Sequence, residues 1–212
     1  IPTQEELIAF EKNVKDIPNE FTEFRNLTII KLFCGSGIRS EELIGLDMKD
    51  VFLQEESPYI MVWGKGNKEV QDRVPLSYEA TDYLTEYFEY RKLFIEEKKE
   101  QNKSIDETPV FISNKGERIS KGAIDDFFKR YSNDMITPHM LRHWCGSHLY
   151  EDTKNIKLVQ RVLRHKNIAV TAENYVHVSD DEVDSAVKML RTDRQNVGQC
   201  NQSNQQQFTG LM

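Results

Sequence analysis

Helical spacing of apolar and polar positions runs from Gln4 to Asp16, with Thr3 as its cap and acids in the first turn. A second helix fits Phe21 to Phe33, and Gly35-Ser36-Gly37 breaks the pattern after it. Helical spacing resumes over Ser40 to Leu46, where Leu43, Ile44 and Leu46 are apolar. The period then changes. Val51 to Leu53, Tyr59 to Trp63 and Val70 to Leu76 are short runs rich in β-formers. The turns Ser57-Pro58 and Gly64-Lys65-Gly66-Asn67 separate them, which predicts a small three-stranded antiparallel sheet. A long charged helix follows over Tyr78 to Lys99, then a polar connector from Gln101 to Thr108. Val110 to Ser113 is too short to classify.

From Ser120 onward the chain returns to helix: Ser120 to Tyr131, His139 to Tyr150 after the start signal Thr137-Pro138, and Ile156 to Leu163. A short segment near Thr171 to Tyr175 and a last helix over Asp180 to Leu190 complete the pattern. The expected class is mainly α with a small three-stranded antiparallel β-sheet. Residues 1–191 are expected to form one domain. Residues 192–212, rich in Gln and Asn and without a period, are expected to be a polar tail.

Composition changes this picture little. The 212 residues are 38% hydrophobic, ordinary for a folded chain, and no apolar run approaches a membrane span. Cys34, Cys145 and Cys200 are scattered and form no CxxC pair, so a reducing, cytoplasmic setting is expected, with no membrane partner. The formal charge of −7 argues against a nucleic-acid partner when taken alone. Charge is unevenly spread, however. Acid is dense at 81–107 and 180–184, and base clusters at 65–73, 129–130 and 154–166.

Four separated segments carry candidate chemistry: Gly37-Ile38-Arg39-Ser40-Glu41-Glu42-Leu43, the turn Trp63 to Lys68, Thr137 to His143, and Leu163-Arg164-His165 running to Tyr175. Two arginines, a lysine, two histidines and a tyrosine suit phosphoryl transfer without a metal. Fixed cations stabilise the negative charge that spreads over the phosphoryl oxygens, and the guanidinium fork holds two of them at once. His139 and Arg142, at i and i+3, share a helix face.

In order and wording these segments resemble the tyrosine recombinases, or phage integrases, over about residues 3 to 191. GIRSEEL is similar to the segment bearing the family's first catalytic arginine, here Arg39. GKGNK, followed by RVPL, resembles the β-turn that carries the family lysine, here Lys65, with Lys68 as a rival for its role. TPHMLRH resembles the His-x-x-Arg box and gives His139 and Arg142. LRHKNIAVTAENYVHV resembles the closing box and gives His165 and the nucleophile Tyr175.

The resemblance implies the tyrosine recombinase catalytic-domain fold and a defined reaction. Tyr175 would attack a backbone phosphate, giving a 3′-phosphotyrosine and a free 5′ hydroxyl, with no metal and no cofactor. Arg39 and Arg142 would bind the phosphate oxygens, Lys65 would protonate the leaving oxygen, His139 would help take the tyrosine proton, and His165 would hydrogen-bond the phosphate. The implied partners are double-stranded DNA recombination sites, a homotetramer joined through Asp180 to Leu190, and accessory DNA-bending or directionality proteins. A separate core-binding domain is expected upstream of this fragment. Lys68, Arg73, Arg161 and Lys166 are candidates for DNA-backbone contact.

Three departures stand out. Arg164 occupies the position where the family usually has Gly, Trp144-Cys145-Gly146 follows the His-x-x-Arg box, and His165 and Tyr175 lie ten positions apart where many relatives have nine. Plainer readings fit single residues. Arg39 alone would pair with Glu41 or Glu42, the run from Lys154 to Lys166 would be a solvated helix face, and Tyr83, Tyr87 and Tyr90 suit core packing. His139 and His143 have the spacing of a metal pair but lack an HExxH glutamate. A catalytically idle DNA-organising relative and a topoisomerase of the same chemistry remain the alternative functions.

Overall fold

The computed structural model describes residues 1–64 and 70–165. Helix α1 (Gln4–Lys15) begins at Thr3, whose side chain accepts from the Glu6 N–H while the Glu6 carboxylate accepts from the Thr3 N–H. This reciprocal cap satisfies two donors that a helix start leaves open. Helix α2 (Glu20–Ser36) is capped by Asn19 and carries buried residues around its circumference, among them Phe21, Leu27, Ile29, Leu32 and Phe33. A helix apolar on all sides is a central one. Accordingly α2 packs against α1, against α4 (Tyr78–Glu100) and against α6 (Pro138–Thr153).

Between α2 and α4 lie the short helix α3 (Ser40–Ile44), a 3₁₀ turn at Met48–Asp50 and the sheet. Strands β1 (Val51–Phe52), β2 (Tyr59–Trp63) and β3 (Gln71–Pro75) pair antiparallel in that order. Ile60 faces Val74 across β2 and β3, and both are fully buried. Helices α5 (Lys121–Tyr131) and α7 (Ile156–Leu163) complete the described elements.

The core centres on stacked aromatic rings. Phe21 lies on Phe94 at 4.0 Å between centroids, and Tyr87 on Phe111 at 5.3 Å. Burying each such ring stabilises the fold by roughly 1.5–3 kcal/mol. Tyr83, Tyr87 and Tyr90 pack as expected: Tyr87 is fully buried, Tyr90 stacks on Phe24, and Tyr83 is half-buried against the core.

The boundaries differ from the sequence expectation at instructive places. Helix α2 runs through Gly35 and ends at Gly37, the residue that takes the left-handed conformation closing the helix. Helix α6 extends to Thr153, because Lys154 rather than Tyr150 ends it. Val110–Ser113 forms no strand. It is held by the Val110 N–H donating to Leu46 O and by a bridge between Ile112 and Arg118. The segment near Thr171 to Tyr175, the last helix and the tail lie outside the described residues.

Candidate functional site

Gly37 organises the site. Its φ of 59° favours glycine, and a Cβ placed there would lie 2.6 Å from Leu163 Cδ2. The turn sets the Gly37 carbonyl toward α6 and Arg39 at the N-cap of α3. Three residues on, Glu42 reaches back. One carboxylate oxygen accepts the Arg39 backbone N–H at 2.9 Å, and the other accepts Arg39 Nη1 at 2.6 Å. Arg39 Nη2 donates to Arg164 O at 3.0 Å and to Leu163 O at 3.4 Å.

Arg142, in the second turn of α6, is buried and donates to Gly37 O through Nη1 and to Leu163 O through Nη2. The two arginines therefore meet at one carbonyl, that of Leu163 at the end of α7. His139 is exposed one turn earlier on α6. Its Nε2 lies 2.8 Å from His143 Nε2, a contact that requires one neutral ring as acceptor.

Arg39, Lys121, His139, Arg142 and His165 line a single cleft of about 360 Å³, with Ser40 beside them. Four of the six residues expected to do chemistry thus converge, although they come from three separated stretches of sequence. Burial pushes the His165 imidazole down to about 4, and Arg142, Arg39, His143 and Arg164 add to the effect. His165 is therefore neutral near pH 7, with one N–H to donate. Burial also lowers His143, helped by His139 and Arg142. For Glu42, burial alone would raise the carboxyl, but Arg164 and Arg39 outweigh it and hold it below the ordinary range.

Lys65, Lys68, Lys166 and Tyr175 lie outside the described residues. Arg73 and Arg161 are exposed and do not line the cleft. Arg73 lies over the Tyr59 ring, 4.2 Å from its centroid, and donates to Ser57 O at 3.1 Å. The run from Lys154 to Lys166 is only partly a solvated face: Lys157 and Arg161 are exposed, but Arg164 turns inward and pairs with Glu42 at 2.5 Å. Among the described residues no group of three His, Cys, Asp or Glu could hold a metal.

Sequence reasoning underrated three residues. Glu42 entered only as a plain partner for Arg39, yet its place three residues after a helix start marks a side chain that folds back on the cap. Arg164 stands out in the sequence only as a departure from the family pattern. Lys121 carried no signal, because its place in the cleft comes from the packing of α3 against α5.

Residues 3–182 match the phage integrase family. The chain belongs to that family. This integrase-family chain is 37% identical over 165 residues to tyrosine recombinase XerC of Thermodesulfovibrio yellowstonii, covering 76% of this chain and 52% of that protein. It is 33% identical over 166 residues to tyrosine recombinase XerD of Staphylococcus epidermidis, with coverage of 76% and 52%. The chain thus spans about half the length of these curated relatives. Among solved structures, the XerH site-specific recombinase bound to difH substrate in a pre-cleavage complex aligns with a TM-score of 0.72 at 24% identity. That alignment covers 91% of this chain and 54% of the other. The catalytic domain of bacteriophage HP1 integrase aligns with a TM-score of 0.55 at 17% identity, covering 89% and 94%. At these identities the structural likeness concerns the fold: mostly helical, with a three-stranded antiparallel sheet.

Proposed function

We propose that this chain is the catalytic portion of a site-specific recombinase that cuts and rejoins double-stranded DNA through a tyrosyl phosphodiester. One observation carries the reading: Arg39, Arg142, His139 and His165 border the same cleft. A phosphodiester is the anion such a set suits. Two guanidiniums supply paired donors for the non-bridging oxygens, and a neutral imidazole adds a hydrogen bond. The N-terminal turns of α5 and α6 also border the cleft, through Lys121 and through Pro138 and His139, and add the positive ends of their dipoles. This local field answers the objection raised by the net charge of −7.

In the proposed reaction the Tyr175 oxygen attacks phosphorus and the bond to the 5′ oxygen breaks. The phenolic proton leaves with help from His139, and the departing oxygen takes a proton from Lys65, or from Lys68 in the same turn. A 5′ hydroxyl from a partner strand then reverses the exchange, so the broken bond is conserved and no metal or cofactor takes part. Lys121 is proposed to hold a neighbouring backbone phosphate, and Lys68, Arg73, Arg161 and Lys166 are proposed as further backbone contacts. The proposed assembly is a tetramer on two DNA sites, joined through Asp180 to Leu190, with a DNA-binding domain upstream and accessory proteins setting direction. A cytoplasmic location goes with this reading, and no described helix is long and apolar enough to cross a membrane.

A nicked duplex tests the assignment. Wild type should yield a protein–DNA adduct that survives SDS and forms equally well with chelator present, and Tyr175→Phe should yield none. An adduct that persists in Tyr175→Phe would overturn the nucleophile.

A further inference from the structure

We infer that Arg164 is a positioning residue that sets both the orientation and the effective charge of Arg39, acting through Glu42. The inference rests on the reading of the cleft as a phosphodiester site and deepens it.

Arg164 sits at φ 54°, ψ 42°, in the left-handed conformation that ends α7. Glycine takes this conformation freely, whereas a side chain is disfavoured there. At Arg164 the contacts of the side chain offset that preference. Lys154 gives the contrast. It ends α6 in the same conformation, but it is exposed and its ammonium only lies over the Tyr150 ring at 5.6 Å. Arg164 instead turns inward, with its side chain 10% exposed.

The contacts close a ring. Arg164 Nη2 donates to one Glu42 oxygen at 2.5 Å, and Arg39 Nη1 donates to the other at 2.6 Å. Arg39 Nη2 then donates back to the Arg164 carbonyl at 3.0 Å. The peptide leading into Arg164 is pinned as well, since Leu163 O accepts from Arg142 and Arg39. The main chain of Arg164 thus holds Arg39 directly, and its side chain holds Arg39 through Glu42.

Charge gives the ring a direction. Glu42 paired with Arg39 alone would be a neutral couple, and its carboxylate would compete with a phosphate for the same guanidinium. With Arg164 on the second oxygen the trio carries one net positive charge. Only one member faces the cleft: the Arg39 side chain is 33% exposed, against 10% for Arg164 and 2% for Glu42. The surplus charge is therefore presented at Arg39, in a partly desolvated setting where a single charge matters most.

The experiment has two arms, both on purified protein checked for folding by its melting curve. In the first, inorganic phosphate is titrated and binding is followed by the NMR shifts of the His165 imidazole. Arg164→Gly and the volume-matched Arg164→Met should weaken phosphate binding by about fivefold or more, and Arg164→Lys, which keeps a charge for Glu42, should recover most of it. In a Glu42→Gln background the Arg164→Gly change should add less than about a factor of two, as expected if the residues act as one unit. The second arm measures adduct formation at saturating nicked duplex, its sequence obtained by selecting randomised DNA on the protein. Arg164→Gly should slow this step about tenfold and leave duplex affinity within about twofold.

Unchanged phosphate affinity in both Arg164→Gly and Arg164→Met would overturn the inference. So would a loss that persists undiminished when Glu42 is Gln. Wild type that forms no adduct would sink the recombinase reading, and the phosphate arm would still decide the role of Arg164. If Arg164→Gly fails to fold, Arg164→Met and Arg164→Lys carry the same decision.

Discussion

Two regions of this molecule bury arginines, and they use them in opposite ways. Where α2 packs on α4, Arg25 of α2 and Arg91 of α4 are 8% and 6% exposed, much like Arg142 at 5%. Burial alone therefore does not single out the site. Arg91 gives its donors to the carbonyls of Val110, Pro109 and Glu107, at 3.2, 2.9 and 2.8 Å. Arg25 reaches Ile112 O and the Asn26 and Asn114 side chains. The segment they hold has only isolated bridges and lies outside the three-stranded sheet, so several of its carbonyls take partners from side chains. No carboxylate faces either guanidinium within salt-bridge distance among the described residues, and neither lines the cleft. Around Gly37, Arg39 and Arg142 also hold carbonyls, but they border the cleft, and Arg39 shares the Glu42 carboxylate with Arg164. What separates the two sets of arginines is the cleft that Arg39 and Arg142 border.

The sharpest way to break this comparison is a matched pair of substitutions. Arg142→Ala should slow adduct formation by about a thousandfold or more in single-turnover assays, because fixed cations dominate phosphoryl transfer. Arg91→Met should leave the rate per folded molecule unchanged and lower stability by about 2 kcal/mol in urea titrations, since the carbonyls of Glu107 and Pro109 lose this donor while Val110 O keeps the Tyr87 hydroxyl. A rate defect in Arg91→Met would erase the distinction.

Acid should also separate the regions, more gently. His165 has its folded value near 4, below the ordinary 6.5. Between those values the unfolded chain takes up a proton that the native site refuses, so stability falls as pH drops from 6.5 toward 4. Below that window the penalty is complete. Urea unfolding at stepped pH should show this slope in wild type and less of it in His165→Gln. The smallest effect belongs to Lys121→Ala, for which the salt dependence of duplex binding should lose about one unit of slope.

Much of this was legible from the chain itself. Thr3 marks its cap, the run of β-formers marks Tyr59 to Trp63, and the motifs that carry Arg39, His139, Arg142 and His165 point to residues that share one cleft. Caps and runs of β-formers are local signals, whereas the four site residues were legible only through the resemblance of their motifs to the family's. Arg164 illustrates what local signals miss. Its sequence neighbours suggest a basic helix face, and only the left-handed turn after Leu163 swings it toward Glu42, 122 positions away. Lys121 likewise gains its place from the packing of α3 and α5. Helix α2 is expected to end at Phe33 and instead runs to Ser36, because Gly35 is a packing glycine within it: a Cβ there would lie 2.2 Å from Ser77 Oγ.

Helix α2 threads both arginine regions. At 1.5 Å per residue, Arg25 and Gly37 stand about 18 Å apart along one rod. Perturbations that far apart, with no shared contacts, generally sum independently. The arginine clamp near Asn114 can then be reinforced or loosened for robustness while the reaction machinery keeps its tuning, an engineering freedom that the layout of one helix confers.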